Sequence, residues 1–276
     1  AVLTDTRFAD RDGTEATGRA GVAWRPVPTL ALRAGAYRGW RLPTLNELYR
    51  PFRVGADATA PNAGLRPESL WGYEGGVTWT PLPRVSLAVT AFDNRLEDAI
   101  ANVSVARGPG TFPLVGFVSA AGTYRVRQNL DRVRSRGVEF DASWRAGPVG
   151  ALLSWSHVDP RVRASGSALP LDGLRPAQTP RDQASATIDW HRGGWAASAT
   201  LRHIARQFDD DANEDVLAPA TTLDGYVAVP LTQALVVELR GENLFNERVE
   251  AGISGVDIVE RAIPRTLWVG LRFRPR

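Results

Sequence analysis

Apolar and polar positions alternate with a period of two through much of the chain. Near its end, Leu267, Val269, Leu271 and Phe273 share one face of a strand, and Trp268, Gly270 and Arg272 share the other. The same reading places Ala20, Val22 and Trp24 on one face between Gly18 and Trp24. Leu30, Leu32, Ala34 and Ala36 follow across the turn Pro26-Val27-Pro28. Alternation returns from Leu70 to Trp79 and, past Pro81-Leu82-Pro83, at Val85, Leu87, Val89 and Ala91. Val138 to Trp144 and Ala151 to Trp155 flank Arg145-Ala146-Gly147-Pro148, and Ala184 to Trp190 and Trp195 to Leu201 flank His191-Arg192-Gly193-Gly194. Leu223 to Val229 and Ala234 to Leu239 make a further hairpin, whereas Val2 to Phe8 is too short to assign.

Between these pairs the pattern lapses. Pro43, Pro51, Pro61 and Pro67 exclude a long regular element from Gly39 to Glu68, where Thr44 to Tyr49 suits one short helical turn. Leu96 to Tyr124 reads as loop with at most a short strand near Val103. Asp159 to Arg181 and the polar stretch Asp209 to Asp215 read as loops too. About twelve strands result, with connections alternating between about four or five residues and about seven to thirty.

Four short turns are immediately preceded by Trp (Trp24, Trp79, Trp144 and Trp190), and Trp195 opens the strand after the last of these. Recurrent Trp at one end of successive hairpins, on the apolar face, is expected of an aromatic girdle at the headgroup layer. The opposite face carries Arg33, Glu139, Asp141, Thr187, Asp189, Glu238 and Arg272, which suit a wet lumen better than a dry core. The expected fold is therefore all-β: an antiparallel transmembrane β-barrel portion of up-and-down strands, with short periplasmic turns and long extracellular loops. Its apolar face meets outer-membrane lipid. A soluble β-sandwich binding module is the contrasting architecture.

Composition agrees. In 276 residues, 43% are hydrophobic and 23% charged, enough to fold, and no apolar run approaches the ~18 residues of a membrane helix. Every basic residue is Arg. The net charge is only +3, with no dense basic block, so a nucleic-acid partner is not expected. There is no Cys, which removes disulfides and thiol chemistry. With no Met and no signal-peptide pattern at Ala1, the chain reads as a mature product or a fragment.

Candidate chemistry is sparse. His157, His191 and His203 lack a second ligand at metal spacing, and no HExxH, GxSxG or phosphate-cradling glycine loop occurs, so neither catalytic residues, a metal site nor a cofactor is assigned. Asp209 and Asp211, in the Asp209–Asp215 cluster, could hold Ca²⁺ or simply belong to a solvated loop. Arg50 and Arg53 could meet an anionic small-molecule ligand such as a metal chelate, or pair with loop carboxylates.

Several segments, in order, resemble TonB-dependent outer-membrane receptors. Gly39 to Gly55, with Pro43, Asn46, Glu47, Leu48 and Tyr49, resembles that family's mid-barrel motif. Asn62-Ala63-Gly64-Leu65-Arg66-Pro67-Glu68 is similar to the stretch that follows it. Ala91 to Ile100, Arg134 to Glu139 and Pro264-Arg265-Thr266 resemble further strand segments. Asn243-Leu244-Phe245 resembles the family's N-L-F box, with Asn246 where Asp is usual and Val249 where an aromatic is usual.

The resemblance implies active transport of a scarce ligand (an iron-siderophore, cobalamin or similar) through a barrel of about 22 strands with an N-terminal plug. Residues 1–276 would be a C-terminal portion of the barrel, without plug, and would reach the TonB complex only through a missing N-terminal region. A Gram-negative outer-membrane location and no enzymatic role are implied as well. The tail Arg274-Pro275-Arg276 departs from a family that commonly ends on an aromatic. The alternative is a self-contained small barrel acting as a passive pore or an outer-membrane enzyme.

Overall fold

The computed structural model describes residues 8, 10–254 and 258–273. The wall opens with β1 (Gly18–Val27) and β2 (Leu30–Arg41). It resumes, after α1 (Leu45–Tyr49) and a small hairpin of β3 (Phe52–Val54) and β4 (Asp57–Ala60), with β5 (Glu68–Trp79) and β6 (Val85–Arg107). A second hairpin, β7 (Gly110–Phe112) and β8 (Gly116–Val118), separates β6 from β9 (Thr123–Ala146), which turns into β10 (Val149–Arg163). Past a 3-10 turn come β11 (Asp182–Arg192) and β12 (Trp195–Ile204). The short ladder of β13 (Gln207–Phe208) and β14 (Val216–Leu217) precedes β15 (Ala220–Pro230) and β16 (Leu235–Glu242). A last hairpin, β17 (Glu250–Ser254) and β18 (Ile258–Arg261), leads to β19 (Thr266–Phe273).

The wall is one antiparallel meander in the order β1-β2-β5-β6-β9-β10-β11-β12-β15-β16-β19. Among the described residues, β1 and β19 are its two edges. Connections alternate strictly. Residues 28–29, 80–84, 147–148, 193–194 and 231–234 turn at one end, and every longer segment lies at the other. Gly193 and Gly194 make one of the three two-residue turns, at φ of 56° and 86°, a region open to glycine.

Pairing fixes the faces. Trp24 lies opposite Leu32, Trp79 opposite Leu30 and Leu87, Trp144 opposite Val85, and Trp190 opposite Val149 and Ala197. Residues directly opposite share a face, so all four Trp, and Trp195 two positions from Ala197, stand on one side of the wall. Val227, Leu239 and Val269 continue that side to the last strand. Trp24, Trp79, Trp144 and Trp195 are exposed, as are Leu267, Val269, Leu271 and Phe273. The structure also shows what the short-turn pattern missed, a second set of aromatics on the same face toward the loop end: Trp40, Trp71 and Trp155.

The other face is a polar lattice. Tyr37 donates to Asn94 (2.9 Å), Ser154 to Asp141 (2.7 Å) and Tyr226 to Glu238 (2.8 Å), while Arg272 pairs with Glu238 (3.0 Å) and Thr187 meets Thr200 (2.9 Å).

Two expectations need correction. Leu96 to Tyr124 is mostly strand: β6 runs to Arg107 and β9 starts at Thr123, so the true connection is residues 108–122. Similarly, β10 continues through Asp159 to Arg163. The reason is legible at Asp98, which takes a left-handed conformation (φ 52°). Above it Ala99, Val103 and Leu130 pack with Leu96 and Val133, which the period of two below assigns to the opposite face. A further register shift falls between Ser104 and Ala106. The Gly39–Glu68 segment holds the expected helical turn at Thr44–Tyr49 together with the β3–β4 hairpin, and β4 adds to β9 in parallel at Ala58–Ala60. Residues 2–7 and the tail 274–276 lie outside the described residues.

Candidate ligand-binding rim

The loop end is built on polar ties. Thr44 caps α1: its hydroxyl accepts from the Glu47 amide (3.2 Å), and the Glu47 carboxylate accepts from the Thr44 amide (2.7 Å). Glu47 also pairs with Arg41 (2.9 Å). Arg41 reaches in turn to Glu68, whose other oxygen accepts from the Ile100 amide (2.7 Å). Burial works to raise the Glu47 carboxyl, but hydrogen bonds from Arg41 and Thr44 overcome it and hold the group below the ordinary carboxylate range. Arg127, largely buried, donates to the Asn46 and Arg50 carbonyls, and Asn62 donates to the Arg127 carbonyl (2.9 Å). Leu48 and Leu65 are buried beneath this clasp. Pro43, Asn46, Glu47 and Leu48 thus sit in a scaffold, and Tyr49 stacks obliquely on Phe8 (4.1 Å between centroids).

The four candidate ligand residues fall in two places. Arg53 donates to the Val115 and Phe117 carbonyls (both 2.6 Å), while the Arg50 side chain, exposed beside it, has no hydrogen-bond or ion-pair partner among the described residues. Asp209 accepts from Gln178 (2.9 Å) and the Ile253 amide (2.8 Å); Asp211 accepts from the Ser104 amide (2.9 Å) and hydroxyl (2.8 Å). Asp210 gathers the Ala212, Glu214 and Asp215 amides (3.0, 2.9 and 2.8 Å). These carboxylates therefore tie their loop to itself and to three neighbouring segments. No group of three or more His, Cys, Asp or Glu suited to a metal occurs among the described residues. Burial, then repulsion from Asp210, pushes the Asp215 carboxyl up.

The N-L-F box has a similar structural task. Asn243, buried and at φ 48°, donates to the Glu247 carbonyl and accepts from its amide (both 2.8 Å). The Leu244 side chain covers the space that Gly225 and Gly241 leave open, while Phe245 is exposed. Asn246, in the box's unusual position, accepts from the Arg265 amide (3.2 Å) at the entry to β19.

The family model described as TonB dependent receptor-like, beta-barrel matches residues 2–244. The chain belongs to this family. Vitamin B12 transporter BtuB of Vibrio vulnificus (strain YJ016) is 24% identical over 88% of the chain and 34% of the relative. The iron-regulated outer membrane virulence protein of Vibrio cholerae is 25% identical over 90% of the chain and 38% of the relative. The chain thus spans little more than a third of the curated relatives it matches. The siderophore receptor PiuA from Acinetobacter baumannii superposes with a TM-score of 0.69 at 14% identity, over 93% of the chain and 35% of that structure. The ferric yersiniabactin uptake receptor FyuA from Yersinia pestis does so with 0.67 at 16% identity, over 93% and 37%.

Membership settles the two media. The wall is a transmembrane β-barrel portion of the Gram-negative outer membrane, its short turns periplasmic and its long connections extracellular. Of the residues that build the rim, Arg127 escaped sequence reading because it lies where the alternation lapses. Asn62, Leu65 and Glu68 were visible through the resemblance, though not the buried ties they make.

Proposed function

We propose that this chain forms the C-terminal barrel wall of an active-transport receptor for a scarce ligand such as an iron-siderophore or cobalamin. Energy would come from the TonB complex through a region outside these residues. One observation carries the reading: a barrel wall of this family gathers all its long connections at the extracellular end and locks them there with buried polar ties. The names of the matched relatives, a vitamin B12 transporter and an iron-regulated outer-membrane protein, support the ligand class. Within the rim, Arg50 and Arg53 offer guanidinium groups to an anionic chelate, with Asp209 and Asp211 holding the facing loop in place. Trp24, Trp79, Trp144, Trp190 and Trp195 serve as the periplasmic-side girdle in the headgroup layer.

The test is uptake of labelled cyanocobalamin and of labelled ferric siderophores by cells producing the full receptor, with and without TonB. TonB-dependent accumulation of one of them is expected, reduced at least about tenfold in apparent affinity in R50A/R53A, the loss expected for even one charged contact. TonB-independent leakage would instead mark a passive pore, and unchanged affinity in the double variant would remove those arginines from the site.

A further inference from the structure

The lipid-facing side of the wall changes character abruptly. Along β6, β9 and β10 the pairing aligns three outward positions at each level. Ala91, Val138 and His157 form one rung; the next three are Asp93, Arg136 and Asp159, then Arg95, Arg134 and Arg161, then Glu97, Arg132 and Arg163. Below these rungs the same face carries Val85, Leu87, Val89, Phe140, Trp144, Leu153 and Trp155. One step above the apolar band, therefore, the outward face becomes dominated by guanidinium groups.

Positive charge is in excess there. Asp93 is shared by Arg95 (3.5 Å), Arg136 (3.3 Å) and Arg134, and Asp159 by Arg161 (3.2 Å) and Arg181 (2.8 Å). Arg132 has Glu97 (2.6 Å) and Arg163 has Asp172 (3.3 Å), so seven arginines face four carboxylates.

The rungs run into a cavity of about 400 Å³ walled by Arg161, Arg175, Arg181 and Arg206, with Asp182 and Phe208. Arg161 shares the alternation of Leu153 and Trp155, and Asp182 that of Ile188 and Trp190, so the cavity lies on the outward side of the wall. Arg175 is only 9% exposed, and its buried Nε has no partner. The one hydrogen bond its side chain makes among the described residues is long, from Nη2 to the Thr179 carbonyl (3.4 Å). Arg206 is exposed, with no partner among the described residues. Burial, reinforced by Arg181, pushes the Arg175 guanidinium below its ordinary value. Asp182 is engaged by His157 (2.8 Å). A buried guanidinium without a carboxylate is costly unless an anion completes it.

We propose that this cavity, anchored by Arg175 with Arg161, Arg181 and Arg206 around it, binds a phosphate group of a lipid headgroup in the extracellular leaflet, and that the adjoining arginine rungs hold further headgroup phosphates. A lipid suits the site better than a soluble anion for two reasons: it faces the membrane rather than the lumen, and it continues directly from the apolar band. Phe208 in its lining offers apolar contact beside the charges. The site is independent of whichever ligand is transported.

The experiment uses the full receptor purified from outer membranes and reconstituted in phosphatidylcholine bilayers containing bisphosphorylated or dephosphorylated lipid A. Bound lipid is counted by native mass spectrometry. The receptor should retain bisphosphorylated lipid A at least about tenfold better than the dephosphorylated form, and R175Q/R206Q should lose about tenfold. Asp159→Asn, which releases Arg161 and Arg181 from their shared carboxylate, should increase retention. If R175Q fails to reach the folded, heat-modifiable form, the exposed R206Q alone carries the test with a smaller loss. Equal retention of both lipids, unchanged retention in the variants or weaker retention in D159N would each overturn the proposal. So would displacement of lipid A by millimolar inorganic phosphate, which would make the site one for soluble anions.

Discussion

Strands β6 and β9 contain two regions that behave differently. Toward the periplasmic turn, every second residue from Val85 to Ala91 and from Val138 to Trp144 is apolar, and the residues between are small or polar. Beyond Asp98 the same two strands remain paired, yet Ala99, Val103 and Leu130 are buried under loop residues such as Ala168 and Leu171. Period two is imposed by two different solvents, lipid and water, and where loops cover the strands that constraint disappears. Strand pairing persists without it because backbone hydrogen bonding does not depend on which medium each face meets.

The comparison can be broken from either side. The largest effect is expected at the loop end. Glu68→Ala strands the Ile100 amide and takes from Arg41 one of its two carboxylate partners, leaving Glu47, and should cost about 3 kcal/mol in urea unfolding of the bilayer-folded protein. Next is a neighbouring pair in the lower half of β9. Ala142→Arg, facing lipid, should cost about 2–4 kcal/mol, whereas Ser143→Arg, facing the lumen, should cost less than about 1 kcal/mol. Equal costs would show the faces to be misassigned.

At the junction of wall and loop, Asn243→Ala removes both side-chain bonds to Glu247. It should lower stability by about 1–2 kcal/mol, with faster hydrogen exchange from residue 243 to 248 as the local signature.

The smallest effect is a pH response. The Glu47 carboxyl is held below its ordinary value of 4.5, so its contribution is fully present above that value and is lost as pH falls through the depressed folded one. Hydrogen exchange in α1 should therefore rise in acid, while the periplasmic half of β9 does not respond, and Glu47→Gln should abolish the difference.

Most of the wall was legible because each strand reports its own faces. The short turns were read from their Pro and Gly, and the helical turn from the proline-bounded Thr44–Tyr49. What was not legible lies where a residue's partner is far along the chain. Arg127 is tied to Asn46 and Arg50, and Asp211 to Ser104, across more than seventy residues, and nothing local marks either. The Asp209–Asp215 cluster was open in the sequence to two readings, a cation site or a solvated loop. Its acidity suggested a cation, but in the fold Asp209, Asp210 and Asp211 are spent on backbone amides and neighbouring side chains. The N-L-F box was recognisable as a pattern, but Leu244's fit over Gly225 and Gly241 could not be read from it.

By itself, the sequence determined the all-β meander, its short and long ends, and the apolar face flanked by Trp, because alternation and turn chemistry are local properties of the chain. The tertiary structure alone decided that β6 and β9 continue far past Asp98, that the loop end is locked through Arg127 and Glu68, and that arginines from three strands and two loops meet on the outward wall. Those outcomes depend on register between strands, and register is set by pairing partners that no local pattern names.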